Sequence, residues 1–444
     1  MTTQQSIRRA ITLAVALGFG LAALSEDANA QEHWVATWAA SPQTPRFAFP
    51  RLPAPIPSSP APQPGQPSQG NPPPPPFFPA PPTINNQTVR MIVHTSIGGH
   101  RARVQLSNAY STSALQVGSA HIALRDKESA IVPASDRPLT FSGKASVSIP
   151  PAAEILSDPV DLEVPPLGDL VISLYVPVEA ASATIHLTGL HTTYISKPGD
   201  FTAASVITDT SAKVPLWYWI SAVDVVAPPK AGLIVAFGDS ITDGATSTPD
   251  ADRSWPSQLA QRLSANKATA NLAIVNEGIS GNRLLNDGAG VSALARFDRD
   301  VLSQPGVKWL IVLEGINDIG IGGLPGGQPS DAVTADDLIA AHKQIIERAH
   351  LHGIKVIGAT LTPYVGAAYA TDQGEAIREA VNQWIRSRGA YDAVVDFDAA
   401  TRDPANPKQI RPSYNIRDRL HPNDEGYKAM AAAVDLSIFT RKSK

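Results

Sequence analysis

The chain of 444 residues contains no cysteine. That excludes disulfides, thiol catalysis, thiolate metal sites and a lipid-bearing N-terminal cysteine. Charge is sparse as well. The 36 Lys and Arg set against 40 Asp and Glu leave a formal net charge of −4, which gives no basic field for drawing in nucleic acid or an anionic membrane. Beyond the N-terminal stretch, no segment approaches the roughly 20 apolar residues that a membrane-spanning helix needs. What is present, 43% apolar residues in a long chain, is the composition of a folded protein with more than one structural unit.

The N-terminus carries Arg8 and Arg9, a mostly apolar stretch from Ala10 to Leu24, and Ala28-Asn29-Ala30 before Gln31. This reads as a signal peptide over residues 1–30, cleaved after Ala30, so the mature protein is expected to be secreted or periplasmic with no membrane anchor. One arginine pair is too little for the twin-arginine route, and the general secretory route is expected. Close to half of the 40 prolines fall between Pro42 and Pro82, including the run Pro72 to Pro76. Such a segment forms neither sheet nor helix, and residues 42–82 read as a disordered, solvated insertion.

From about Thr88 to Val226 the pattern is period-two and rich in turns. Val89, Met91 and Val93 alternate with polar residues, Gly98-Gly99 turns the chain, and Val104 and Leu106 resume, which predicts a hairpin. Strand-like runs at Leu170 to Val176 and Thr184 to His186 extend this to an antiparallel β-sandwich over residues 83–227, with 31–41 contributing. After Pro228-Pro229, apolar runs (Leu233 to Phe237, Ala273 to Asn276, Trp309 to Leu313, Lys355 to Leu361, Ala393 to Phe397) alternate with helical stretches (Ser254 to Ser264, Ser292 to Leu302, Ala335 to His352, Gly374 to Arg388, Asp424 to Ile438). Alternating βα units over residues 228–444 predict an α/β domain with a doubly wound parallel sheet.

In such a sheet, ligands bind beyond the carboxyl ends of the strands. Ser240 follows the first strand, Gly281 the second and Asn317 the third, while Asp418 and His421 come in the long loop after the fifth. A serine hydroxyl becomes a nucleophile when a histidine takes its proton and a carboxylate fixes the histidine tautomer; Ser240, His421 and Asp418 can fill those roles. The oxyanion of ester cleavage needs aimed donors, and the backbone N–H groups of Ser240 and Gly281 and the Asn317 amide are available. Pro422 restricts His421, and Asn423 is placed to cap the last helix.

The set Gly238-Asp239-Ser240, Gly281, Gly315-x-Asn317-Asp318 and Asp418-x-x-His421-Pro422 resembles the GDSL/SGNH hydrolases, over roughly Gly232 to the C-terminus and in the family's order. The block here reads Gly-Asp-Ser-Ile in place of Gly-Asp-Ser-Leu, one apolar residue for another. The resemblance implies a five-stranded flavodoxin-like sheet, the SGNH hydrolase fold. It also implies Ser240 as nucleophile, His421 as base, Asp418 as its partner, and Ser240, Gly281 and Asn317 as oxyanion donors. No Gly-x-Ser-x-Gly elbow surrounds Ser240, which speaks against the α/β-hydrolases. The start Trp38-Ala39-Ala40-Ser41-Pro42 and the β-domain resemble a branch related to xylan-associated acetylesterases.

The expectation is therefore a secreted serine ester hydrolase acting on short acyl groups, with O-acetyl esters of carbohydrate foremost. Lipid esters or thioesters are the alternative within the same chemistry, and a non-catalytic glycan-binding protein is the alternative outside it. No cofactor or metal is expected: His186 with His191, and His350 with His352, lack an evident carboxylate partner or metalloprotease spacing. Asp239 and Asp318 read as loop-shaping side chains, and Gly320 to Gly327 as a mobile loop at the cleft rim. Oligomeric state has no signature in the sequence.

Overall fold

Each apolar run after Pro229 forms a strand of one parallel sheet in the computed structural model, which describes residues 32–45, 81–181, 184–324 and 329–441. The expected signal peptide and residues 46–80 of the proline-rich stretch lie outside the described residues. Strands β1 (Gly232–Gly238), β2 (Leu272–Gly278), β3 (Val307–Leu313), β4 (Lys355–Ala359) and β5 (Ala393–Val395) stand in the order β2-β1-β3-β4-β5. All seven residues of β1 are buried, because a central parallel strand is covered on both faces.

The intervening helices are α1 (Ser240–Asp243), α2 (Trp255–Ala265), α3 (Ala293–Phe297), α4 (Ile316–Gly322), α5 (Ala335–Leu351), α6 (Asp372–Arg386), α7 (Phe397–Thr401) and α8 (Asp424–Ala433). With right-handed crossovers, a strand order that reverses at β1 sends the connections to opposite faces of the sheet. Side-chain caps start α2 at Ser254, α5 at Thr334, α6 at Thr371 and α8 at Asn423, each accepting from a backbone N–H of the first turn.

Register places the site. Gly238 pairs with Gly278 on β2 and Leu313 on β3, so the three strands end level and Asp239, Ile279 and Glu314 leave the sheet side by side. Two details differ from the sequence reading. Gly320 to Gly322 belong to helix α4 where a loop was expected, and the Tyr369 ring packs against Gly320 so closely that it leaves no room for a Cβ there. The stretch Ser292 to Leu302 is not one α-helix, since α3 passes into a π-helical turn over Asp298–Leu302.

N-terminal to this, the described residues form two large antiparallel sheets and two two-stranded ones. One has Trp34–Ala39, Ile220–Val226, Gly99–Ser107 and Glu154–Leu156 in that order, with Val160–Val164 also on Gly99–Ser107. The other runs Thr210–Val214, Thr193–Pro198, Gln87–His94, Asp169–Val176, Ser119–Leu124, Arg137–Pro138. The hairpin expected around Gly98-Gly99 is not made, because Gln87–His94 and Gly99–Ser107 lie in different sheets. The glycines mark a tight crossing, where a Cβ would sit 2.5 Å from the Val164 carbonyl at Gly98 and 2.5 Å from the Val226 carbonyl at Gly99. Arg90, polar in an alternating pattern, is wholly buried, with its guanidinium donating to Ser173 Oγ and to the carbonyls of Ser129, Phe201, Thr202 and Ala204.

The described residues from Trp34 onward make one compact unit. One apolar core runs through both the antiparallel sheets and the α/β part, and buried or half-buried polar pairs lie along the seam between them. His186 Nε2 lies 3.0 Å from Asp243 Oδ1, His191 Nε2 lies 3.0 Å from Asp252 Oδ1, and His94 Nδ1 contacts Asp169 Oδ1 at 2.7 Å and Asp252 Oδ2 at 3.3 Å. The histidines do have carboxylate partners, brought from distant sequence, as His350 also does with Asp392 at 2.8 Å. Burial alone would lower His191, but the carboxylates of Asp250 and Asp252 raise it to about 9. A raised histidine stabilises fully below its unfolded value near 6.5 and loses that contribution as pH rises through its folded value. We expect unfolding free energy to drop by on the order of 3 kcal/mol between about pH 6.5 and 10 from this group. Urea melts across that range should show the drop in the parent protein and a flatter profile in His191→Gln; equal slopes would rule out His191 as the source.

Candidate active site

At the end of β1 the chain turns sharply into α1. Asp239 accepts from Ile241 N–H at 2.9 Å as the helix cap, and Ser240 opens the helix. Ser240 Oγ is 2.9 Å from His421 Nε2, across a sequence separation of 181 residues. His421 Nδ1 is 2.6 Å from Asp418 Oδ2, and Asp418 Oδ1 accepts from the N–H groups of Leu420 at 3.0 Å and His421 at 2.9 Å. Burial alone would raise Asp418, but its hydrogen bonds and the nearby imidazole outweigh that and hold it below the usual carboxylate range. With Nδ1–H directed at a carboxylate, Nε2 is the nitrogen left to accept the serine proton.

Residues on either side of Asp418, Arg417 (φ 82°) and Arg419 (φ 64°), adopt left-handed backbone, which folds the loop back so that an Asp-x-x-His spacing closes on itself. The loop is then tied to the segment after Ser240. Thr246 Oγ1 donates to Pro422 O at 2.8 Å, Tyr427 O–H donates to Ala245 O at 2.7 Å, and Asp424 accepts from Thr248 N–H and O–H at 2.9 and 2.7 Å.

Gly281 (φ 81°) occupies the third position of a turn closed by Asn282 N–H donating to Ile279 O at 3.0 Å. This turn is linked to β1, which leads into Ser240, by Ile279 N–H to Gly238 O at 2.9 Å. Asn317, in the first turn of α4, donates from Nδ2 to Asn282 O at 2.9 Å and accepts at Oδ1 from Tyr369 O–H at 3.2 Å. Both ends of its amide are thereby oriented, and the second Nδ2 hydrogen is left over. Asp318 accepts from the N–H groups of Leu284 at 2.7 Å and Leu285 at 2.9 Å, holding the second loop against the third.

Beneath these loops lies a wholly buried guanidinium with no signal in motif spacing. Arg296 donates to Gly238 O at 3.0 Å, Glu277 O at 2.7 Å, Asn282 Oδ1 at 2.9 Å, Ser41 Oγ at 2.9 Å and Asp300 Oδ2 at 3.0 Å, and its plane lies 4.0 Å from the Phe237 ring centre. Around it burial pushes carboxyls upward: Asp239 to about 7, Asp318 to about 6, and Glu277 and Glu314 well above the usual range. Among the described residues the cluster whose donor atoms converge enough for a metal ion is His94, Asp169 and Asp252, in the seam with the antiparallel sheets. Arg125, at 2.9 Å from Asp169, and the raised His191 already set positive charge against those carboxylates.

Residues 236–429 match the family described as GDSL-like lipase/acylhydrolase. The match covers under half of the chain and spans the whole parallel sheet apart from the start of its central strand. Among solved structures it is similar to Axe2, an acetylxylan esterase from Geobacillus stearothermophilus (22% identity, 46% of this chain, 91% of that one, TM-score 0.36). A GDSL-like lipase from Bacteroides thetaiotaomicron is similar at 22% identity (47% and 87%, TM-score 0.35). So is LAE5, an α/β hydrolase from the metagenome of Lake Arreo in Spain, at 20% identity (48% and 98%, TM-score 0.38). No curated protein matches the chain.

Arg296 should be a point of failure for the α/β part of the chain. Arg296→Leu orphans several buried acceptors and is expected to cost about 3 to 5 kcal/mol in urea unfolding. Arg296→Lys keeps the charge but not the planar fan of donors and should recover only a minor part; a Lys variant as stable as the parent would show that charge alone suffices.

Proposed function

We propose that this chain is an exported serine carboxylic-ester hydrolase that cleaves short acyl esters through an acyl-serine intermediate. The observation that carries this reading is the continuous hydrogen-bonded relay from Ser240 Oγ through His421 to Asp418, at 2.9 and 2.6 Å. His421 Nε2 takes the proton as Ser240 Oγ attacks the ester carbonyl, and Asp418 stabilises the imidazolium without taking its proton. The oxyanion is met by the N–H groups of Ser240 and Gly281 and by the spare hydrogen of Asn317 Nδ2. Collapse of the tetrahedral intermediate breaks the bond to the alcohol oxygen, which leaves with the proton from His421. Water then attacks the acyl-enzyme, giving its proton to the same nitrogen, and the acid departs as Ser240 is reprotonated.

Acetate on a carbohydrate is the substrate class we favour, on the family branch suggested by Trp38 to Pro42 and on export by a leading segment of signal-peptide character. No metal or cofactor enters this mechanism.

Ser240→Ala should reduce hydrolysis of nitrophenyl acetate to background. Asn317→Ala should lower turnover by on the order of 10² to 10³ at little change in KM. Rates should fall along nitrophenyl esters from acetate to decanoate and acetylated xylan should release acetate; equal, background-level release by parent and Ser240→Ala would favour a glycan-binding protein, and a rise with chain length a lipase.

A further inference from the structure

The Gly281 N–H belongs to the central peptide of the turn Ile279 to Asn282. Glycine at positive φ in the third position is the mark of a type II turn, and the type I alternative differs by a flip of that same central peptide. Which way the N–H points is therefore a two-state property of the turn, and something must select the state. On the far side, Asn282 is fixed by Arg296 at its Oδ1, by Val291 O at its Nδ2 and by Asn317 at its carbonyl. The near side is Ser280.

Ser280 is held by a chain that leaves the α/β part. Its N–H and O–H both meet Asp243 Oδ2, at 2.8 and 2.6 Å, and its Oγ lies 2.8 Å from Thr188 Oγ1. Asp243 Oδ1 is in turn 3.0 Å from His186 Nε2, while His186 Nδ1 lies 2.9 Å from the Ser41 carbonyl. Asp243 and His186 are each almost inaccessible to solvent, at 2% and 3% exposure, so water does not compete for these bonds. His186 also lies against the Trp217 ring at 5.5 Å, and Trp217 meets Trp38 edge-on at 4.8 Å. Thr188, His186, Trp217, Trp38 and Ser41 all precede the α/β part of the chain.

We propose that the N-terminal β-region sets the direction of the Gly281 N–H, with Thr188 and His186 as positioning residues acting through Ser280 and Asp243. The proposal rests on the serine-esterase reading given above, and it gives the β-region a part in catalysis. Asp243 receives donors from both sides, the histidine from the β-region and the N–H and O–H of Ser280, so it transmits the position of one to the other. None of these groups touches substrate in this scheme.

The experiment compares the full chain with Ser280→Ala, Ser280→Thr, Thr188→Val and His186→Gln. On nitrophenyl acetate we expect Ser280→Ala and His186→Gln to lose at least about tenfold in kcat with KM within about threefold, and Ser280→Thr to recover most of the loss. Phenylboronic acid, which forms a tetrahedral adduct on Ser240 and uses the same donors, should weaken in proportion to kcat across the series. Thr188→Val should fall between, with Tm near the parent value, and combined with Ser280→Ala should cost less than the sum of the two. Parent-like kcat and boronate affinity in Ser280→Ala, or losses in the series that track Tm and leave boronate affinity unchanged, would overturn the proposal and leave the esterase reading standing. Activity surviving in Ser240→Ala would overturn both.

Discussion

The loops of this site are assembled on one buried cation. Arg296 is inaccessible to solvent, and its donors reach the ends of β1 and β2, the loop after β2, the π-helical turn and the N-terminal segment at Ser41. A guanidinium stripped of water is costly unless its donors find acceptors in plane, and here they are carbonyls and side chains of segments that have to converge. The geometry of the site and the solvation of the arginine are therefore one requirement. Glu314, at 3.4 Å from Arg296, adds the end of β3 to the set.

Several carboxyls are also buried below Ser240. Asp239, Glu277, Glu314 and Asp318 would repel one another if all were ionised in a poorly solvated space, and burial moves each of them upward. Asp300 is the exception. Burial raises it too, but Arg299 and Arg296 together outweigh that and keep it below its usual range. Asp239 and Asp318 accept backbone N–H groups that shape the turns under Ser240 and Asn317.

How much of this was legible beforehand depends on whether a residue acts through its neighbours in sequence. Ser240, Gly281, Asn317, Asp418 and His421 stand in short blocks at strand ends, and β-α periodicity is enough to bring those ends to one edge. The parallel sheet was read from runs such as Leu233 to Phe237 because a strand covered on both faces is apolar throughout. The same rule misled in the N-terminal region. Gln87–His94 is also covered on both sides, so Arg90 looked solvent-facing although its charge is satisfied by Ser173 on the neighbouring strand and by four carbonyls brought by loops. The pairing of Gly98-Gly99 was misread because a glycine pair marks close backbone approach, and a crossing between sheets demands that as much as a hairpin does. Arg296 and Asp243 left no trace, and His186 was read as lacking a carboxylate, because their partners are decided by tertiary contacts that no local spacing encodes.

The contrast between the relay and its foundation follows from their chemistry. Asp418 and His421 are partly open to solvent and sit on a loop with two left-handed residues, held by hydrogen bonds to the segment around Thr246. An imidazole that must receive and release a proton in each half of a reaction gains from contact with water, where charge can be screened during turnover. The donors of an oxyanion site have the opposite requirement, since a dipole that reorients as charge develops forfeits part of its stabilisation. It is consistent with this that Asn317 is fixed at both ends of its amide, that the turn of Gly281 is anchored on both flanks, and that the anchors run down into Arg296 and across into the N-terminal sheets. The N-terminal sheets packed behind such a site do more than enlarge the core: they supply rigid, desolvated partners at a place where the α/β sheet alone ends in loops.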